Sequence, residues 1–167
     1  MLSPVAAAAL EKLENTSLQV ISHRSSLVRT IPMDQEDAEL QRDHVERVDG
    51  AQFQWGVVIS PEMVSFRLRF WLKSGNVQSE VDVALNWDVK VNQRPTDAEV
   101  KALMVEYGAA ATHGAALAIL HSDLQLLATN IQIRFSIEAE LSRQVEENFD
   151  HRIVRLQQEE ASNEGAE

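Results

Sequence analysis

The chain has no cysteine among its 167 residues. Disulfides, thiol nucleophiles and cysteine-held zinc are thereby excluded, and the composition suits a reducing cytoplasm. It also lacks an apolar run of the roughly 18 residues that a spanning helix needs, so no stable membrane insertion is expected. The opening MLSPVAAAAL has neither the basic n-region nor the h-region of a signal peptide. Ser3 as a cap with Pro4 at the first helical position predicts a short helix there instead. No glycine-rich phosphate loop, no G-x-S-x-G and no dinucleotide fingerprint is present. The histidines His23, His44, His113, His121 and His151 form no HExxH pairing or compact metal set. His113 and His121 are more than two helical turns apart, and His121 and Asp123 do not share a helix face. The carboxylates are many but dispersed, and no acid/base pair stands out. Neither an enzyme nor a cofactor is indicated.

Positive charge is scarce. Fifteen Lys and Arg against 26 Asp and Glu leave a formal charge of −11. Such a field repels nucleic acid and anionic membranes and favours basic partners or unfolded chains; plain solubility is an equal reason for it.

The most informative stretch is MVSFRLRFWLKSGNVQSEVDVALNWDVKV, Met63 to Val91. Val64, Phe66, Leu68, Phe70 and Leu72 alternate with polar residues, as do Val81, Val83, Leu85, Trp87, Val89 and Val91 beyond a Gly75-Asn76 turn. Period-2 alternation across a short glycine-containing turn predicts a hairpin with one apolar and one wet face. Placing Leu72 opposite Val77 sets Arg69 against Glu80 and Arg67 against Asp82, an opposition of charges that favours this register. Gln52 to Ser60 predicts a further strand, with Phe53, Trp55, Val57 and Ile59 on one face. Ser17 to Ile31 predicts an early strand that Pro32 ends. Between them, Met33 to Gly50 reads as a crossover loop whose acidic start, Asp34, Glu36, Asp37 and Glu39, is a partner patch or a solvated loop.

Thr96 and Glu99 form a capping box after Pro95 and open a helix running to about Thr129. Its stretch from Gly108 to Ala118 is dense in glycine and alanine and lets another backbone approach closely. That neighbour is either the chain's own sheet or a second copy. Gly108 and Gly114 weaken the helix and can bend or divide it. Ile131, Ile133, Phe135 and Ile137 then predict an extended segment. Leu141, Val145, Phe149, Ile153 and Leu156 form a narrow stripe on a second, charged helix. The expected organisation is a helix or disordered arm over 1–16, one domain over 17–156, and an acidic disordered tail over 157–167. Trp71 falls on the wet face beside Arg67, Arg69 and Lys73, and Val58 lies opposite Trp55 and Val57. A tryptophan off-pattern on a sheet is a contact for another chain, or is covered by the C-terminal helix through Phe149 and Ile153.

This layout resembles the SecB family of export chaperones and their SecB-like relatives, some of which accompany toxin–antitoxin systems. The likeness rests on an acidic chain of similar size and an early strand (SLQVISHRSSLVRTIP) with a long loop after it. It continues with the strands QFQWGVVIS, VSFRLRFWL and VDVALNWDVKV, the small-residue helix VEYGAAATHGAALAILHSDLQLLATN, an IQIRF segment, a second helix and an acidic tail. The family's Pro-aromatic-x-Arg stretch is absent from the long helix, which reads LAILHSDLQLL there. The segment that follows also lacks the family's prolines. The resemblance implies an α+β fold, with a four-stranded antiparallel sheet packed on a long small-residue-rich helix and a second C-terminal helix. It implies a homotetramer built as a dimer of dimers; the small residues Gly108, Ala111, Gly114, Ala115 and Ala118 of the long helix are the expected oligomer interface. It also implies a cofactor-free holdase that binds unfolded or nascent polypeptides and hands them to SecA, or that protects an antitoxin. Val58, Trp71, Phe149 and Ile153 are then the client contacts. The alternative is a non-enzymatic oligomeric adaptor that binds one folded partner.

Overall fold

Alternating side chains build a sheet with two unlike faces. The computed structural model describes residues 2–27, 50–74, 77–126 and 137–156. In chain order the elements are α1 (Pro4–Glu11), β1 (Leu13–Leu27), β2 (Gly50–Ile59), β3 (Met63–Ser74), β4 (Val77–Val89), α2 (Asp97–Leu126), α3 (Glu138–Arg152) and β5 (Ile153–Arg155). The sheet order is β1-β4-β3-β2-β5. The first four strands pair antiparallel, and β5 lies parallel to β2. The fold is therefore α+β, but its sheet is five-stranded and mixed, not the four-stranded antiparallel sheet expected.

Val64, Phe66, Leu68, Phe70 and Leu72 of β3 are buried on one face together with Val81, Val83, Leu85 and Trp87 of β4. Each such side chain stabilises the fold by about 1.5–3 kcal/mol on leaving water. Helix α2 covers this face. Its buried stripe, which includes Val100, Leu103, Met104, Ala116, Leu120 and Leu124, joins the sheet in a single core. Thr96 and Glu99 make both hydrogen bonds of the predicted capping box. The helix is divided where glycine was expected to divide it: Met104–Gly108 is a π-helical turn. By length and composition α2 could cross a membrane; 44% of its most apolar window is buried inside the fold.

The N-terminal helix forms as predicted, with Ser3 Oγ accepting from the Ala6 amide and Pro4 in its first turn. It packs into the same body, since Ala6 and Ala9 are fully buried and Lys12 Nζ reaches both Glu99 carboxylate oxygens at 2.7 Å. β1 begins at Leu13, directly after α1. Val91 is exposed beyond the end of β4.

Two expectations are corrected. The β3–β4 register pairs Leu72 with Ser79 and Ser74 with Val77, two residues away from the expected pairing. The α3 stripe also stops early. Leu141, Val145 and Phe149 are buried, but at Ile153 the backbone turns extended, with φ −92° and ψ 131°. The β-branched Ile153 and Val154 favour a strand, and β5 is fixed by an ion pair from Arg155 to Asp97 and by the Leu156 amide donating to Ile59 O at 2.9 Å. The acidic loop with Asp34, Glu36, Asp37 and Glu39, the Gly75-Asn76 turn, the extended segment before Ile137 and the 157–167 tail lie outside the described residues.

Candidate functional site

The other face of the sheet carries no helix among the described residues. The buried side chains of all three helices face the opposite side. Ladder pairing puts Gly56 against Arg67, Gln54 against Arg69, Val58 against Ser65 and Gln52 against Trp71. All of these belong to the uncovered face, because Trp55, Val57, Phe66 and Phe70 between them point into the core.

This face was expected to be wet, yet Asp82 is only 3% exposed and Ala84 4%. The arginines are the reason. Arg67 donates Nε and Nη2 to the two Asp82 oxygens at 2.8 and 2.6 Å, lying over the strand as it does so. Hydrogen bonding to Asp82 raises the Arg67 guanidinium further above its ordinary pKa. Arg69 pairs with Glu80, and its guanidinium carbon stands 4.9 Å from the centre of the Trp71 ring, a cation–π contact. Ser65 Oγ donates to Asn86 Oδ1 at 2.6 Å.

A pocket of roughly 310 Å³ opens above Gly56. Val58 and Val154 are among its apolar walls, and Arg67, Arg69 and Arg152 also line it. Gly56 has no side chain to fill it: a Cβ there would meet only Arg152 O, at 3.8 Å. The cleft thus combines apolar walls with the side chains of arginines, two of which are already paired with carboxylates.

The four sequence-predicted contact residues divide. Val58 lines the pocket, and Trp71 lies half-buried further along the same face. Ile153 is half-buried on the ladder beside Val57. Phe149 is 1% exposed within the core on the other side of the sheet, so it does not cover Trp71. The small residues of α2 divide as well. Gly108 is buried, and a Cβ there would lie 2.8 Å from Met104 Sδ and 3.7 Å from Trp87. Its smallness thus serves packing within the chain. Gly114 and Ala118 are exposed and Ala115 is half-buried, while Ala111 is half-buried and packs against the core. Gly56, Arg152 and Val154 were not singled out in advance. A glycine inside the strand QFQWGVVIS is itself a signal of close approach or of an open site.

A second polar cluster ties β1 to α2. His23 Nδ1 and Ser25 Oγ each lie 3.1 Å from Asp123 Oδ2, and Ser25 Oγ is 2.7 Å from Ser79 Oγ. Here Asp123 partners His23 from another element, not the nearby His121. The cluster anchors the end of α2 against β1.

No family model matches the chain, and no curated protein does. Among solved structures, the chain is similar to a SecB-like chaperone of Mycobacterium tuberculosis, determined in complex with a ChAD peptide from the HigA1 antitoxin. The two share 13% identity at a TM-score of 0.56, over 80% of this chain and 92% of that one. The likeness gives this chain a SecB-like fold.

Proposed function

We propose that the chain is a SecB-like holdase that binds unfolded or nascent polypeptides, without catalysis and without a cofactor. The observation that carries this reading is the sheet face left uncovered by all three helices, with Trp71 and the Val58 pocket on it. The SecB-like fold, shared with a chaperone solved with an antitoxin peptide, supports it. Affinity would come from many weak contacts along an extended segment, with Val58, Trp71 and Ile153 among the client contacts and Phe149 holding α3 behind them. Clients are export substrates passed to SecA or an antitoxin, in the cytoplasm. The outer face of α2, with Gly114, Ala115 and Ala118 and with Ala111 at its edge, is the proposed homo-oligomer interface in a dimer of dimers.

One feature favours an adaptor that binds a single folded partner: ion pairs fill much of the uncovered face, and fixed charges suit a fixed partner better than varied clients. Light scattering on a sizing column, with and without permanently unfolded polypeptides, separates the two readings. A tetramer that co-elutes with several unrelated unfolded chains and ignores their folded forms supports the holdase. An oligomer that binds none of them removes that reading and leaves the adaptor. A monomer removes the proposed role of the outer α2 face.

A further inference from the structure

We infer that α1 is a charge-clamped flap, which lifts off the N-terminal turns of α2 while the sheet and α2 itself stay folded. Ser3 at its start and Lys12 at its end both reach α2, at Glu106 and Glu99, so the two helices lie antiparallel, side by side. Glu99, Ala102 and Glu106 recur at three and four residues and so share the α2 face beneath α1. Between the two carboxylates the contact is made by small side chains. Ala6 and Ala9 are the fully buried residues of α1, Leu10 is half-buried, and Val5 is exposed. Burying two methyl groups and part of a leucine removes little apolar surface from water. Eight residues are also too few to hold a helix alone, so α1 keeps its shape only while docked.

The clamp at each end is polar and reached by water. Lys12 Nζ donates to both Glu99 oxygens at 2.7 Å, with 31% of the lysine side chain exposed. The Ser3 amide donates to Glu106 Oε2 at 2.6 Å on the surface, where the carboxylate also faces the positive end of the α1 dipole. Hydrogen bonds from Lys12 and from Ser3 hold these two carboxyl groups below the ordinary carboxylate range. Exposed charge contacts of this kind weaken as salt rises. The joint to β1 is firmer. Lys90 N donates to Lys12 O at 2.9 Å, Lys90 Nζ donates to Glu11 O at 2.8 Å, and Leu13 is buried. The flap therefore hinges near Glu11 and Lys12 and opens from its Ser3 end. A unit with so few buried apolar contacts opens well below the cost of global unfolding. Opening bares the Ala102 face of α2 on the helix side of the sheet, and does not depend on what the uncovered face binds.

Hydrogen exchange of the full chain, followed peptide by peptide in a mass spectrometer, tests this. The α1 amides should be protected at least about 100-fold less than those of β3. Salt at about 0.5 M should quicken α1 exchange about threefold and leave β3 unchanged. Glu106→Gln should do the same at low salt, because it removes the charge and keeps an acceptor for the Ser3 amide. The chain has no cysteine, so Ala9→Cys supplies a single thiol. Its labelling by a bulky maleimide should follow the α1 exchange rate. The salt arm needs no variant, so misfolding of either one leaves the test intact. Exchange of α1 in step with β3, a rate indifferent to salt, or fast exchange with the thiol still protected would each overturn the inference.

Discussion

Arg67 binds Asp82 through two hydrogen bonds of 2.8 and 2.6 Å, although the residue facing Arg67 across the ladder is Ala84. The pair is diagonal. The carboxylate is almost fully buried while the guanidinium side chain is about half exposed. Losing one partner of a fully buried pair costs about 3–5 kcal/mol. Water entering beside Asp82 reduces the expected cost of Arg67→Ala to about 1–2 kcal/mol. Adding Asp82→Ala should restore at least half of that, since no orphaned charge remains. Urea unfolding of the two single variants and the double variant measures the coupling. Additive losses would mean that the pair is incidental.

His113 sits in the core at the edge of the Phe70 ring, 6.3 Å between centroids, and its Nε2 has no hydrogen-bond partner among the described residues. Burial lowers its pKa below the ordinary 6.5, against a smaller opposing pull from Glu138. Between the lowered folded value and 6.5 the unfolded chain holds a proton that the folded chain does not. Stability therefore falls as pH drops below about 6.5 and levels off above it. His113→Leu should flatten that part of the profile in denaturant titrations from pH 7.5 to 5.5. An unchanged slope would assign the acid sensitivity to other groups.

How much of this was legible beforehand depends on the range of the interaction. Phe66, Leu68, Phe70, Val81 and Val83 declare their face by alternation, and Thr96 with Glu99 declares a helix start; both signals are local. The register was misread because the charge pairs form diagonally: Arg67 reaches Asp82, and Arg69 reaches Glu80, from positions two residues removed from direct opposition. Long arginine side chains satisfy either register equally well. β5 was missed because three residues carry no period, and a parallel pairing with distant Val57 leaves no local trace. The burial of Phe149 was legible in its stripe, but not the side of the sheet that it meets. The pocket was hidden for the same reason, since Arg152 reaches Gly56 only through the fold.

The two glycines of α2 should respond in opposite ways to the same change. Gly108→Ala places a methyl group against Met104 Sδ beneath Trp87 and should cost about 1–3 kcal/mol by overpacking. Gly114→Ala meets nothing within 4 Å and should gain up to about 1 kcal/mol from helix propensity. Thermal melts compare the two directly. If the outer face of α2 joins copies, Gly114→Leu should also lower the native mass in light scattering. A native mass that survives a leucine there would remove Gly114 from any interface.

Client binding and folding should separate along the two sides of the sheet. Trp71→Ala and Val58→Asp alter the uncovered face, and each should weaken binding of an unfolded polypeptide about tenfold, roughly 1.4 kcal/mol. Stability should change much less, because neither side chain belongs to the core on the helix-covered side. Phe149→Ala should behave in reverse. It empties a fully buried site and should cost about 3–5 kcal/mol of stability, while the fraction that remains folded binds clients as before. Fluorescence anisotropy with a labelled unfolded client, read beside urea midpoints, assigns each variant to one side. Should Phe149→Ala weaken binding in proportion to Trp71→Ala at matched folded fraction, clients would contact the helix side instead, and the uncovered sheet face would lose its proposed role.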